Sequence, residues 1–181
     1  MILQKSIIII GQICSGKSSL AKKIAAANGF IDASFGKYLR HYNHIGSRQE
    51  LQDIGYEMIK NDHITFLKNV ISFATNEPKD ILFEGVRHEV IFNEIMAISN
   101  SVFSIYLDSP YDLRLARYLK RDKNIDKEKS EAEFHRASLH PVEIEIPLLK
   151  SKCTLAIQST ESAQADFSKV QPYIELWLNN F

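Results

Sequence analysis

Gly11, Gly16, Lys17 and Ser18 fit the pattern G-x-x-x-x-G-K-[ST] in full, and residues at that spacing can do one particular thing, which is to hold phosphate. The two glycines allow backbone angles and close approaches that a side chain would forbid. The N–H groups of the loop, including those of Cys14, Ser15 and Ser19, then point with the start of a helix at an anion. Lys17 can reach the outer phosphates of a nucleotide, and the Ser18 hydroxyl can join the coordination of a Mg²⁺ that bridges them. The transfer of a phosphoryl group needs positioning and charge neutralisation more than covalent help, so the next residues to find are cations. Arg40, Arg87, Arg117 and Arg121 each fall just after a predicted strand or on the helix that follows one. Each guanidinium offers a rigid donor fork matched to phosphate oxygens. For any one of them taken alone, a surface salt bridge is an equal reading.

These residues need elements that bring them to one place. Ile7 to Ile10 read as a strand buried on both faces, and Leu20, Ala21, Ile24 and Ala25 recur at helical spacing, so the glycine loop is expected at a strand-to-helix turn. Phe30 to Ala33 is short enough for an edge strand, with Ser34 as the start signal of a helix reaching Arg40. Gly46-Ser47 breaks the pattern. A second helix from Arg48 carries Leu51, Ile54, Met58 and Ile59, and a third stripe runs from Ile64 to Ala74 before Pro78. Ile81 to Glu84 is the next buried strand, with Arg87 just beyond its carboxyl end, where open α/β sheets bind ligands. Val90 to Ile98 suits a helix, Val102 to Asp108 a strand, and Pro110 opens a helix with Arg114, Arg117 and Arg121 on one stripe. The composition from Arg121 to Glu133 is mostly charged, which predicts a solvated lid over about residues 121–141. Leu155 to Ile157 and an amphipathic helix over Phe167 to Phe181 close the chain. Strands alternating with helices imply a single three-layer α/β/α domain spanning residues 1–181, with a parallel sheet of about five strands.

Composition sets limits on partners. The 22 basic and 22 acidic side chains cancel, so no global field favours a long nucleic acid. Two cysteines without metal-ligand spacing suit reduced thiols better than a disulfide framework. With no apolar run long enough for a membrane span and no leader pattern, a cytoplasmic protein is expected.

In order along the chain, Gly11 to Ser18, Ser34 to Arg40, Glu84 to Arg87 and the Arg117–Arg121 pair resemble the landmarks of the nucleoside monophosphate kinases, a P-loop NTPase family. The resemblance implies ATP and Mg²⁺ as cofactors and a small phosphoryl acceptor as the only partner. It implies that Ser34, Gly36, Arg40 and Arg87 grip the acceptor phosphate, that Glu84 joins Ser18 on the Mg²⁺ side, and that Arg117 flanks the donor base while Arg121 embraces the transferring group. Arg48 to Gly55, followed by Glu84 to Glu89, is similar more particularly to phage-type deoxynucleoside monophosphate kinases, which adds Arg48 to the acceptor set. Small kinases related to dephospho-coenzyme A kinase share the pattern. Glu84 stands where aspartate is usual and Val86 where proline is, and the lid lacks the cysteine or glycine signatures of adenylate kinases.

Asp32 separates two mechanisms. A phosphate acceptor needs no general base, whereas a hydroxyl acceptor benefits from one. Asp32 reads either as that base, as the resemblance to dephospho-coenzyme A kinase implies, or as a cap for the following helix. Arg136 and Glu143 read as lid residues or as paired surface charges, and His41 and His44, without an acidic or cysteine partner, as solvated helix positions. A nucleotide-dependent switch ATPase is the rival from another class, against which stand the charged insert and the absence of an Asn-Lys-x-Asp signature.

Overall fold

A computed structural model describes residues 2–43, 48–77, 79–121 and 126–180. Five strands form one sheet in the order β2-β3-β1-β4-β5: β1 (Leu3–Ile10), β2 (Ile31–Ser34), β3 (Ile81–Glu84), β4 (Ser99–Asp108) and β5 (Leu155–Gln158). Every neighbouring pair is parallel, so all five carboxyl ends lie along the same edge of the sheet. Ile9 is level with Glu84 on one side of β1 and with Ile105 on the other, and Ser34 is level with Glu84. The phosphate loop, Ser34 and Glu84 therefore meet at one edge because of strand register alone.

The isoleucine run of β1 works through its period of two. Ile7 and Ile9 join a core with Leu20, Ile24, Val170 and Ile174, supplied by α1 (Lys17–Asn28) and α8 (Ala163–Asn179). Ile8 and Ile10 join the opposite core, built on α2 (Phe35–Asn43), α3 (Arg48–Ala74) and α4 (Glu89–Ile98). Both faces are thus covered, as a parallel sheet requires.

The two apolar stripes expected over residues 48–74 lie on a single span, α3, with a kink at Asp62 (φ −161°, ψ 88°). The Asp62 carboxylate accepts from the Thr65 N–H at 3.0 Å and from the Thr65 hydroxyl at 2.7 Å, capping the second segment. The break expected at Gly46-Ser47 lies outside the described residues.

After α5 (Tyr111–Arg121), the charged run resumes as α6 (Lys127–Ser138), followed by α7 (Pro141–Glu145) and a 3-10 turn at Ile146–Lys152. Residues 122–125 of the expected lid lie outside the described residues. Beyond them, Phe134 and Ala137 pack on Ile13 and Cys14 of the phosphate loop, so α6 is anchored to the site. The charged stretch ends one residue before Phe134, and that ring is fully buried. No helix among the described residues is long and apolar enough to cross a membrane.

Candidate active site

The loop between β1 and α1 is shaped by its glycines. A Cβ on Gly11 would lie 2.6 Å from the Leu107 carbonyl oxygen and 2.7 Å from Ser15 Oγ, too close for either to remain in place. Gly16, with φ at +103°, sits at the N-terminus of α1 in the left-handed region that favours glycine. Gly11→Ala is expected to cost about 1–3 kcal/mol of stability, through displacement of backbone against β4, read as a lowered midpoint in urea unfolding. Lys17 is buried, and its Nζ donates to the Gln12 carbonyl at 2.7 Å and to Ser15 Oγ at 3.3 Å. The ammonium is thereby held against the loop that would wrap a phosphate.

Glu84 ends β3 directly beside this loop. The Ser18 hydroxyl donates to its Oε1 at 2.9 Å and the Ser34 hydroxyl to its Oε2 at 2.7 Å. Burial alone would push the Glu84 carboxyl up, but Lys17, the two hydroxyl donors and Arg87 together hold it below the ordinary glutamate value, so it is ionised at neutral pH. A hydroxyl and an ionised carboxylate in contact are hard oxygen donors suited to Mg²⁺, which usually takes one or two protein ligands and completes its shell with water and phosphate. No cluster of three or more acidic, histidine or cysteine side chains that could hold a metal occurs among the described residues.

The arginines divide between two recesses. A cleft open to solvent runs from the loop past Gly36, Arg40, Arg87 and Arg121. A Cβ on Gly36 would lie 3.5 Å from Arg40 Nη2, so the Arg40 guanidinium sits over this glycine. Arg87 is ion-paired with Glu143, and Arg121 Nη1 lies 3.9 Å from Cys14 Sγ. Arg117 lies in a second recess behind Gly16, where it donates to the carbonyls of Cys14, Ser15 and Thr160 and to Ser159 Oγ. Arg114 is buried, bonded to the Ser109 carbonyl and stacked near Tyr111 and Phe134. Among the described residues, Arg114 and Arg117 bind carbonyls rather than carboxylates, so the surface salt-bridge reading does not hold for these two.

The family described as AAA domain matches residues 7–136, most of the chain, from within β1 to within α6. The chain belongs to the AAA domain family. No curated protein matches its sequence. Among solved structures, a shikimate kinase from Acinetobacter baumannii in complex with shikimate is 17% identical, with a TM-score of 0.62 over 98% of this chain and 94% of the other. A gluconokinase from Sinorhizobium meliloti 1021 is 13% identical, with a TM-score of 0.60 over 99% and 97%. A shikimate kinase from Bacteroides thetaiotaomicron is 13% identical, with a TM-score of 0.61 over 95% and 98%. At these identities the likeness is one of fold.

Several expectations for this AAA-domain chain need correction. Asp32 neither lines the cleft nor caps α2. Its carboxylate pairs with Lys37, while Ser34 Oγ accepts the Lys37 N–H at 3.3 Å and fills the capping role. Arg136 is exposed, and Glu143 is fully buried, so of the two readings, lid residues or paired surface charges, the second does not hold. Glu143 accepts the Ile13 N–H at 2.7 Å and Arg87, with Gln52 Nε2 at 3.4 Å. Arg48 opens α3, and its side chain lies outside the described residues, as does His44. His41 is exposed and lies beside Phe73. His88, given no role from the sequence, is buried and bonded to Glu145 at 3.1 Å. Gln52 and Tyr56 also line the cleft; Gln52 falls inside the Arg48 to Gly55 stretch but is given no role from the sequence, and neither is Tyr56.

Proposed function

We propose that this protein is a Mg²⁺- and ATP-dependent kinase that passes a γ-phosphoryl group to a nucleoside or deoxynucleoside monophosphate. One observation carries the reading: Arg40, Arg87 and Arg121 line the same cleft as Lys17, Ser18 and Glu84, and the rest of its wall is largely apolar or aromatic, including Phe35, Leu39, Leu51, Tyr56, Ile59 and Phe66. Cations and apolar or aromatic walls in one cleft suit an acceptor made of a phosphate and a base. Among the described residues lining that cleft, Glu84 is the only carboxylate, and both its oxygens are engaged by hydroxyls. An acceptor that is already anionic needs no base there. A hydroxyl-directed reaction through Asp32 loses support because that residue is off the cleft wall and paired with Lys37. A switch ATPase has no use for an acceptor-sized cleft beside its phosphate loop.

In this reading Lys17 and the loop N–H groups neutralise the donor phosphates, Ser18 and Glu84 hold Mg²⁺, and Arg40 and Arg87 orient the acceptor phosphate. Arg121 neutralises charge at the transferring group, and Arg117 shapes the donor-base recess with Ser159 and Thr160. The test is ATP consumption against ribo- and deoxynucleoside monophosphates, dephospho-coenzyme A, shikimate and gluconate, with product mass measured. Turnover dependent on a nucleoside monophosphate supports the reading, and turnover only with one of the other acceptors ends it. Arg40→Ala is expected to raise the acceptor KM about ten- to a hundredfold while the ATP KM stays within about twofold. An effect confined to ATP would remove Arg40 from the acceptor site.

A further inference from the structure

Two side chains lining the cleft carry hydrogen-bonding capacity that the proposed function does not use. Gln52, on α3, is only 4% exposed, and His88, at the N-terminus of α4, only 6%. Both line the cleft. Gln52 Nε2 donates to the Ala137 carbonyl at 3.1 Å and towards Glu143 Oε1 at 3.4 Å. Both partners can only accept, so the amide orientation is fixed by its neighbours and Oε1 is the free end. That Oε1 is buried and without a partner among the described residues.

His88 repeats the arrangement. Its Nδ1 lies 3.1 Å from Glu145 Oε2, a carboxylate oxygen that accepts, so Nδ1 carries the hydrogen and a neutral ring presents a lone pair at Nε2. Burial first, then the neighbouring Arg87 and His140, lowers the ring below its ordinary value against the opposing pull of Glu145, which favours the neutral form. Nε2 is likewise buried and unpartnered among the described residues. Tyr56 follows Gln52 by one helical turn, and its ring lies 5.7 Å from that of His88, so the three residues occupy one region of the wall.

Resting on the monophosphate reading, we propose that Gln52 Oε1 and His88 Nε2 form a reading pair for the acceptor base, selecting bases that carry an exocyclic amino group over thymine and uracil. Buried acceptors left unpaired are costly, roughly tenfold in affinity for each, and a ligand that donates to them removes the cost. Adenine, cytosine and guanine bring an amino group with two N–H hydrogens. Thymine and uracil bring one ring N–H flanked by two carbonyl oxygens, which would set acceptor against acceptor. A site that expects donors discriminates strongly against ligands that lack them.

The experiment is steady-state kinetics of the full chain with Mg²⁺-ATP and the adenosine, guanosine, cytidine, uridine and thymidine monophosphates, repeated on His88→Asn and His88→Gln. Asparagine keeps a donor near the Nδ1 position for Glu145 and loses the Nε2 acceptor, whereas glutamine places an amide oxygen near it. The expected kcat/KM of the best amino-bearing acceptor exceeds those for uridine and thymidine by about tenfold or more. His88→Asn is expected to raise that acceptor's KM about tenfold, with kcat and the ATP KM within about twofold, and His88→Gln to recover most of it. A preference for uridine or thymidine, or an unchanged acceptor KM in His88→Asn, overturns the pairing alone. A collapse of kcat at unchanged KM overturns it in favour of a general base. Turnover with no nucleoside monophosphate overturns the underlying reading and the pairing with it.

Discussion

Lys17→Ala lowers acceptor-dependent turnover by about a hundred- to a thousandfold, the range expected when one preorganised charge facing a transition state is removed. The ammonium is held by groups of its own loop, the Gln12 carbonyl and Ser15 Oγ. It also acts on two carboxylates. Lys17 is among the charges that keep Glu84 and Glu143 ionised against the push of burial. Under the proposed function, its loss would weaken donor-phosphate neutralisation and the Mg²⁺-side carboxylate together. Lys17→Arg is expected to recover little, because a planar fork cannot occupy the place of a compact ammonium inside the loop. The measurements are turnover, nucleotide binding and urea unfolding of both variants. Turnover at the original rate in a folded Lys17→Ala protein would remove the phosphate loop from the chemistry.

The parts of the site that rest on local chain were legible in the sequence. A buried strand, a glycine loop and a helix adjoin one another between Leu3 and Asn28, so their juxtaposition needs no tertiary information. Glu84 and Arg87 were found because a parallel sheet puts every strand's carboxyl end on one edge. The break between the two stripes of α3 was also visible, because Asp62 needs only Thr65 to cap the second segment. What escaped depends on partners far along the chain. Glu143 bonds to Ile13, 130 residues away, and His88 to Glu145, 57 residues away, and neither pair leaves a spacing that a periodicity argument can detect. Glu143 in particular reads as surface because an isolated glutamate is so rarely buried, and it is buried here because Arg87, Gln52 and a loop N–H converge on it. Asp32 misled in the opposite direction. An acid two residues before a strand's end looks catalytic or capping, yet Ser34 supplies the cap and Lys37 takes the charge.

Glu143→Gln is expected to destabilise the protein by about 3 kcal/mol, because removal of one partner from a buried pair leaves the other charge uncompensated. For a domain of this size that corresponds to a fall of roughly 10 °C in Tm. The amide can still accept the Ile13 N–H but no longer balances Arg87, which this carboxylate joins to the phosphate loop and which the proposed function places at the acceptor phosphate. The acceptor KM should therefore rise in the same variant, because Arg87 loses the group that orients it. The pH dependence follows from the sign of the shift. Burial pushes the Glu143 carboxyl up, but Arg87, Lys17 and the Ile13 N–H reverse this and hold it below its ordinary value of 4.5. A depressed folded-state value means that the stabilisation is fully present above about pH 4.5 and is lost as pH falls through the folded value. Glu84 is shifted in the same direction and contributes in the same window. Urea unfolding of wild type and Glu143→Gln from pH 7 down to pH 3 should show two curves that converge in acid, with the wild-type advantage confined to the upper part of the range. A constant gap across that range would mean that Glu143 acts through packing and not through its charge.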